Sequence, residues 1–301
     1  KTVLIATKKN GVLFFNNNTH AVEPYLSEEN SKLVFKDVRN LVFDVRGALW
    51  IGTYKGLNIL DKNKNITVLK HKKFDNKSLS KNTVKSIFKD KKGSIWVGTY
   101  YGGLNLWDLS NVNFTNFSEN NKSEKLSYNV VSSIQHYKDL LFFGTEGDGI
   151  TTYNQKSKNT TYINTKNYTL LPNNNIKSLL VNDGQLFIGT FDSGVAVFDI
   201  ENNRFYNNFL SDELKEKLNN LGVYSIKKDT ENHIWVGSFG AGVFKYNINT
   251  KKIIAFNKNE TTKNYLSNNL VRSITVDSNN DIWVGTQIGL NKIDKNENVT
   301  R

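Results

Sequence analysis

Seven copies of one phrase at a near-constant period, four strand-like segments in each period and almost no helical pattern predict an all-β protein, a seven-bladed β-propeller of four-stranded antiparallel blades. The phrase is aromatic, aliphatic, Gly, Thr. It reads Trp50-Ile51-Gly52-Thr53, Trp96-Val97-Gly98-Thr99, Phe142-Phe143-Gly144-Thr145, Phe187-Ile188-Gly189-Thr190, Trp235-Val236-Gly237-Ser238 and Trp283-Val284-Gly285-Thr286. Leu4-Ile5-Ala6-Thr7 is a weaker first copy. The anchors Ala6, Gly52, Gly98, Gly144, Gly189, Gly237 and Gly285 are spaced by 46, 46, 46, 45, 48 and 48 residues. A solenoid would need capping ends, and none is visible, so residues 1–301 are read as a single propeller.

Each period contains four elements. Strand one is Val-x-Ser-Ile, as in Val84-Lys85-Ser86-Ile87, Val131-Ser132-Ser133-Ile134, Val223-Tyr224-Ser225-Ile226 and Val271-Arg272-Ser273-Ile274. Val38-Arg39-Asn40-Leu41 and Ile176-Lys177-Ser178-Leu179 are looser versions. A polar turn such as Asp90-Lys91-Lys92-Gly93 follows, with hairpin chemistry. Strand two is the Trp-Ile-Gly-Thr phrase, whose consecutive apolar residues imply burial on both faces. Strand three follows a Gly-bearing turn (Gly56 to Leu60, Gly242 to Tyr246), and strand four follows another polar turn (Ile66 to Leu69, Ile253 to Phe256). One helix is expected at Ser211 to Leu218, with Ser211 as cap and Glu213 four residues before Lys217. The chain opens inside strand two of the first unit, so that unit lacks its innermost strand, and either a segment outside residues 1–301 seals it or the ring stays imperfectly closed.

Composition narrows the function. There is no Cys, which excludes disulfides, thiolate metal sites and a Cys nucleophile. Met is also absent, so Lys1 is read as a processed or engineered end. No apolar run is long enough to span a bilayer. The net charge of +12 invites a search for an anionic partner, but the 45 Asn mixed with Lys throughout point equally to solvated turns. The basic residues are dispersed and match no nucleic-acid module, so no nucleic-acid partner is expected. His20, His71, His136 and His233 show no metal-ligand spacing, and no phosphate-cradling Gly loop occurs, so neither metal nor cofactor is expected.

The linked set Leu-Ser-x-Asn, Val-x-Ser-Ile, Asp-x-x-Gly, Trp-[Ile/Val]-Gly-Thr and Gly-Leu-Asn (Gly56-Leu57-Asn58, Gly103-Leu104-Asn105, Gly289-Leu290-Asn291) resembles the two-component regulator propeller repeat. Phe142 and Phe187 depart from it, and the first copy departs further. Such repeats resemble those in the periplasmic sensor region of hybrid two-component histidine kinases from glycan-degrading Bacteroides-type bacteria. The resemblance implies an extracytoplasmic sensor that recognises an oligosaccharide, an acidic one being an option. It also implies a membrane-anchored parent, dimeric in one reading, with an adjacent propeller, an immunoglobulin-like domain and kinase activity elsewhere in the chain. Fold alone does not fix function.

The repeated Trp, Gly and Thr are assigned to packing between blades. Ligand candidates are the positions the repeat leaves free. On the strand-two/three turns these are Lys8, Lys9, Tyr54, Lys55, Tyr100, Tyr101, Glu146, Asp148, Phe191, Asp192, Phe239 and Gln287. Aromatic rings beside polar groups suit sugars, whose apolar faces stack while their hydroxyls take hydrogen bonds. Ordinary turn chemistry competes with that reading. Inside Val-x-Ser-Ile the free position holds Arg39, Lys85, Ser132, Lys177, Tyr224 and Arg272, and its four cations would favour a carboxylated or sulfated ligand. Solvated charge around a wet channel is the competing account. Three functions follow: a non-catalytic sensor propeller, a scaffold that docks other proteins, or a propeller lyase or hydrolase using Glu146, Asp148 and His136. Reversible ligand sensing is the leading one.

Overall fold

The computed structural model describes residues 3–16, 18–29, 31–73, 75, 77–108, 114–120, 125–259 and 265–301; Lys1 lies outside them. Seven antiparallel sheets succeed one another along the chain, and the fold is a seven-bladed β-propeller. Two compact units divide it, Lys1–His136 with Tyr153–Thr160, and Tyr137–Thr152 with Thr161–Arg301.

The first unit holds sheets 1 to 3. Sheet 1 has three strands among the described residues, Val3–Ala6, Val12–Asn16 and Ala21–Leu26, with no counterpart there of strand one, as the strand count predicts. Sheet 2 is Val38–Phe43, Leu49–Thr53, Gly56–Leu60 and Ile66–Leu69; sheet 3 is Val84–Lys89, Ile95–Thr99, Gly103–Trp107 and Phe114–Phe117. Strand two is buried along its whole length in both, because each sheet is covered on two faces. Trp50, Leu57 and Leu79 pack with Val84, Ile87, Ile95 and Val97 between sheets 2 and 3.

The second unit holds sheets 5 to 7. They are Ile176–Asn182, Gln185–Thr190, Val195–Asp199, Arg204–Phe205; then Gly222–Lys228, His233–Phe239, Gly242–Asn247, Ile253–Phe256; then Val271–Val276, Ile282–Thr286, Leu290–Ile293, Val299–Thr300. The strands of sheet 4, Val131–Tyr137, Leu140–Thr145, Ile150–Asn154 and Thr160–Ile163, fall in both units. The helix spans Asp212–Lys217, with the Ser211 side chain accepting from Leu214 N–H and Leu214 and Leu218 buried against sheets 5 and 6.

Every letter of the repeated phrases has a structural duty. The Asp that opens the hairpin accepts backbone N–H groups two and four residues on, as Asp90 does from Lys92 and Ser94. Its second oxygen accepts the indole N–H of the Trp six residues later. These bonds are Trp50 to Asp44 at 3.2 Å, Trp96 to Asp90 at 3.0 Å, Trp235 to Asp229 at 2.8 Å and Trp283 to Asp277 at 2.9 Å. A buried indole N–H needs such an acceptor. Where Phe replaces Trp the demand disappears, and so does the Asp: His136 and Val181 stand six residues before Phe142 and Phe187. The hairpin there is shorter, with Asp183 and Gly184 both left-handed between paired Asn182 and Gln185. The departures at sheets 4 and 5 are therefore one coupled change.

The Ser of Val-x-Ser-Ile links neighbouring sheets. Ser86 donates to the Val131 carbonyl at 3.1 Å, Ser178 donates to Val223 at 2.9 Å, and Ser225 accepts from the Ile274 N–H at 2.9 Å. The Gly of strand two sits against the same contact. A Cβ on Gly189 would lie 2.2 Å from Ser178 Oγ and 2.6 Å from the Val223 carbonyl oxygen, so only Gly fits. The Thr hydroxyl closes the strand-two/three turn, as Thr99 does on the Gly103 carbonyl at 3.0 Å. Asn105 is fully buried; it accepts from Ser80 N–H and donates to Ser80 Oγ and the Val97 carbonyl. Asn291 repeats this with Ser267 and Val284.

Candidate functional site

Two free positions of the repeat emerge together because of a defect in strand pairing. In sheets 2, 3, 5, 6 and 7 the register between strands one and two slips within Val-x-Ser-Ile: Val38/Asn40, Val84/Ser86, Ile176/Ser178, Val223/Ser225 and Val271/Ser273. The middle residue is thus the extra residue of a β-bulge, released from the ladder and re-aimed. The residue after Gly-Thr is tied back beside it. Tyr54 N–H donates to the Asp37 carbonyl at 3.1 Å, Tyr100 to Thr83 at 2.8 Å, Phe191 to Asn175 at 2.9 Å and Gln287 to Leu270 at 3.0 Å. In these sheets, positions 14 or 15 residues apart in sequence become neighbours at the sheet end.

In the first unit this pairing sets Arg39 over Tyr54 at 5.8 Å and Lys85 over Tyr100 at 5.8 Å. Asp37 holds the Arg39 guanidinium with two bonds, at 2.5 and 2.8 Å. Lys55 lies over Phe35 at 4.4 Å, and Phe35 tilts against Tyr54. Tyr101 is left-handed (φ 56°), exposed, and meets Tyr100 edge-on at 4.4 Å. Tyr100 and Tyr101 form an aromatic corner facing solvent.

The second unit carries a longer arc. Lys177 pairs with Glu146 at 3.3 Å, both side chains largely buried, and also lies 5.0 Å from the Phe191 ring and 5.6 Å from Tyr224. Tyr224 tilts against Phe239 at 5.1 Å. Arg272 covers both rings, 5.0 Å from Tyr224 and 4.3 Å from Phe239. Burial pushes the Tyr224 hydroxyl above its ordinary pKa; Arg272 opposes that and Glu146 adds to it. Six of the predicted residues, from sheets 4 to 7, therefore form one continuous chain of contacts, and Phe191 keeps 46% of its surface exposed.

Other predicted residues stay outside the arc. Asp148 raises the pKa of Tyr162, second to burial, while Glu146 faces Lys177, so these two carboxylates have different partners. Asp192 accepts from Asn173 and from the Ser193 hydroxyl. Gln287, Lys8 and Lys9 are exposed turn residues. A cavity of about 270 Å³ beside the helix, lined by Leu170, Pro172, Phe205, Phe209, Leu210 and Lys215 among others, contains none of the candidates. Sequence reasoning missed Asp37 and Phe35. The carboxylate two positions before Arg39 was a readable signal for the first; nothing in the repeat marks the second.

Residues 78–101 and 265–287 match the family model described as two component regulator propeller, each stretch running from the Leu-Ser phrase through the Gly-Thr phrase. No curated protein matches the chain significantly. Among solved structures, it resembles the extracellular domain described as that of hybrid two component system BT3049 from B. thetaiotaomicron, at 24% identity and a TM-score of 0.79, covering 97% of this chain and 38% of that one. The extracellular domain of a second such system, BT4673 from the same organism, is similar at 21% identity and a TM-score of 0.62, covering 89% and 38%. Virginiamycin B lyase from Staphylococcus aureus is similar at 15% identity and a TM-score of 0.63, covering 87% and 83%. The chain thus spans 38% of the two extracellular domains it matches. These likenesses establish the propeller fold, which a sensor domain and a lyase share. Among the described residues no helix is long and apolar enough to cross a membrane.

Proposed function

We propose that residues 1–301 work as one ligand-recognition propeller in the extracytoplasmic, periplasmic part of a membrane-anchored two-component sensor. Its ligand is an oligosaccharide, and it acts without catalysis. The signal is a shift in arrangement against neighbouring domains, with kinase activity elsewhere in the parent chain. One observation carries the recognition step: positions that the repeat leaves free converge into the Glu146–Lys177–Phe191–Tyr224–Phe239–Arg272 arc. A partly exposed ring beside fixed polar groups matches what a sugar offers, an apolar face with hydroxyls around it. The two matching repeats and the likeness to extracellular sensor domains support the setting. A ligand drives rearrangement only if it binds one arrangement better than another.

Calorimetric titration of neutral and acidic oligosaccharides tests this, using the 301-residue chain and a longer chain that includes flanking domains. Saturable binding, weakened at least tenfold by Phe191→Ala, is the expected result. Silence across the panel with both chains overturns it. A second reading, docking of another protein, is favoured by the exposed rings of Tyr54 and Tyr101 and by Ile288, 73% exposed on the same kind of turn.

A further inference from the structure

The two arginines at the bulge position have different electrostatic fates, and the difference lies two residues upstream. Arg39 follows Asp37, which neutralises it through a two-bond pair. Arg272 follows Leu270, which offers no carboxylate. Among the described residues no acid pairs with Arg272; its partners are the Phe239 and Tyr224 rings and the Tyr224 hydroxyl. The other cation of the arc, Lys177, is already neutralised by Glu146. The arc therefore holds one uncompensated positive charge, and that charge is held in place rather than free.

We propose that Arg272 is the anchor for an anionic group, a carboxylate or a sulfate ester on a sugar ring, and that Tyr224 positions it. A guanidinium has five N–H donors in a plane and presents them at its edge. The Arg272 guanidinium carbon lies 4.3 Å from the Phe239 ring and 5.0 Å from the Tyr224 ring, and with no carboxylate on it among the described residues its N–H donors are offered to an oxyanion as a two-bond pair. The Tyr224 hydroxyl, beside the guanidinium, adds a donor to the same anion. Packing against two rings lowers the conformational freedom that Arg272 would otherwise lose on binding. A neutral sugar would leave this charge unanswered, so the site discriminates by charge as well as by shape. The ligand identity rests on the sensor reading above; the anion site itself does not.

The test separates the two. The Arg Nε–H signals of the 301-residue chain are followed by NMR at low salt while sodium sulfate is added. Methyl glucuronide, glucose 6-sulfate and methyl glucoside are titrated in parallel. Sulfate is expected to shift the Arg272 signal saturably and to leave Arg39 unmoved. Methyl glucuronide or glucose 6-sulfate is expected to bind at least tenfold more tightly than methyl glucoside, with the two acids showing which oxyanion is preferred. Arg272→Gln should abolish both effects, Arg272→Lys should retain part of the preference, and Arg39→Gln should change neither. Circular dichroism checks that the variants fold. An Arg272 signal indifferent to sulfate, or an acid preference that survives Arg272→Gln, overturns the proposal even if neutral sugars bind. A sulfate response without any sugar binding supports the anion site and counts against the oligosaccharide reading.

Discussion

The indole N–H of Trp96 donates to the Asp90 carboxylate at 3.0 Å across a hairpin whose turn that same carboxylate organises. One side chain thus ends strand one, starts strand two and satisfies the buried ring at the centre of the repeat. The same relationship joins Trp50 to Asp44, Trp235 to Asp229 and Trp283 to Asp277.

Removing that carboxylate leaves a buried donor unsatisfied and strips the turn of two bonds. Asp90→Ala is expected to cost about 2–4 kcal/mol of stability, since a lost partner exposes the full desolvation penalty of the group left behind. Asp90→Asn should cost less. Trp96→Phe should then destabilise the Asp90→Ala background less than the wild type. Urea unfolding of the four proteins measures the coupling.

Asp44 makes the acid limb of stability sensitive to one group. Burial pushes its carboxyl up, but the Ala48 N–H, the Trp50 indole and Arg46 outweigh burial and hold it below its ordinary value. The unfolded chain therefore takes up a proton before the folded one does. Asp44 contributes stability that is fully present above the unfolded value of about 3.9 and is lost as pH falls through the lower folded value. Asp44→Asn should flatten the decline in unfolding free energy between about pH 5 and 2, measured by denaturant titration at each pH. An unchanged slope would show that the hydrogen bonds do not favour the charged form.

Gly98 faces Ser86 Oγ, which a Cβ would meet at 2.4 Å, and the Val131 carbonyl oxygen at 3.0 Å. Gly98→Ala should therefore destabilise by about 1–3 kcal/mol, the range for overpacking a filled site. Ser86→Ala alone should cost about 1 kcal/mol for its bond to Val131. Combined, the two should cost less than their sum, because removing the hydroxyl relieves the nearest clash. Thermal unfolding of the single and double variants checks this.

The Lys177–Glu146 pair is enclosed enough that a lone survivor is penalised. Glu146→Gln or Lys177→Met should each destabilise by about 1–3 kcal/mol, and the double variant should lie closer to wild type than either single one. A double variant as unstable as the sum of both would mean the two groups do not depend on each other.

The fold was legible because the repeat writes the same packing contacts several times over, as in the four Trp–Asp bonds. Trp, Gly, Thr and Asn each recur where a shared geometric demand recurs, and the Ser211 cap and the Glu213–Lys217 spacing identify the helix by local chemistry. The coupling of Asp to Trp was also readable, since both vanish together around Phe142 and Phe187, but spacing alone does not reveal a hydrogen bond. The candidate site was half legible. Its residues stand out as the positions the repeat does not constrain, yet their grouping was hidden, because Lys177 meets Tyr224 across 47 residues of sequence and Arg272 meets Phe239 across 33.

Sequence alone determined the number of sheets, their strand order, the helix and the set of free positions, because these depend on local periodicity and on contacts repeated at a constant offset. Tertiary structure decided which free positions touch, which cation is neutralised and which stands open. Those outcomes turn on the bulge that re-aims one residue in each of five sheets and on a carboxylate present at Asp37 but absent at Leu270. Charge compensation acts over a few ångströms of space, and no count along the chain measures that distance.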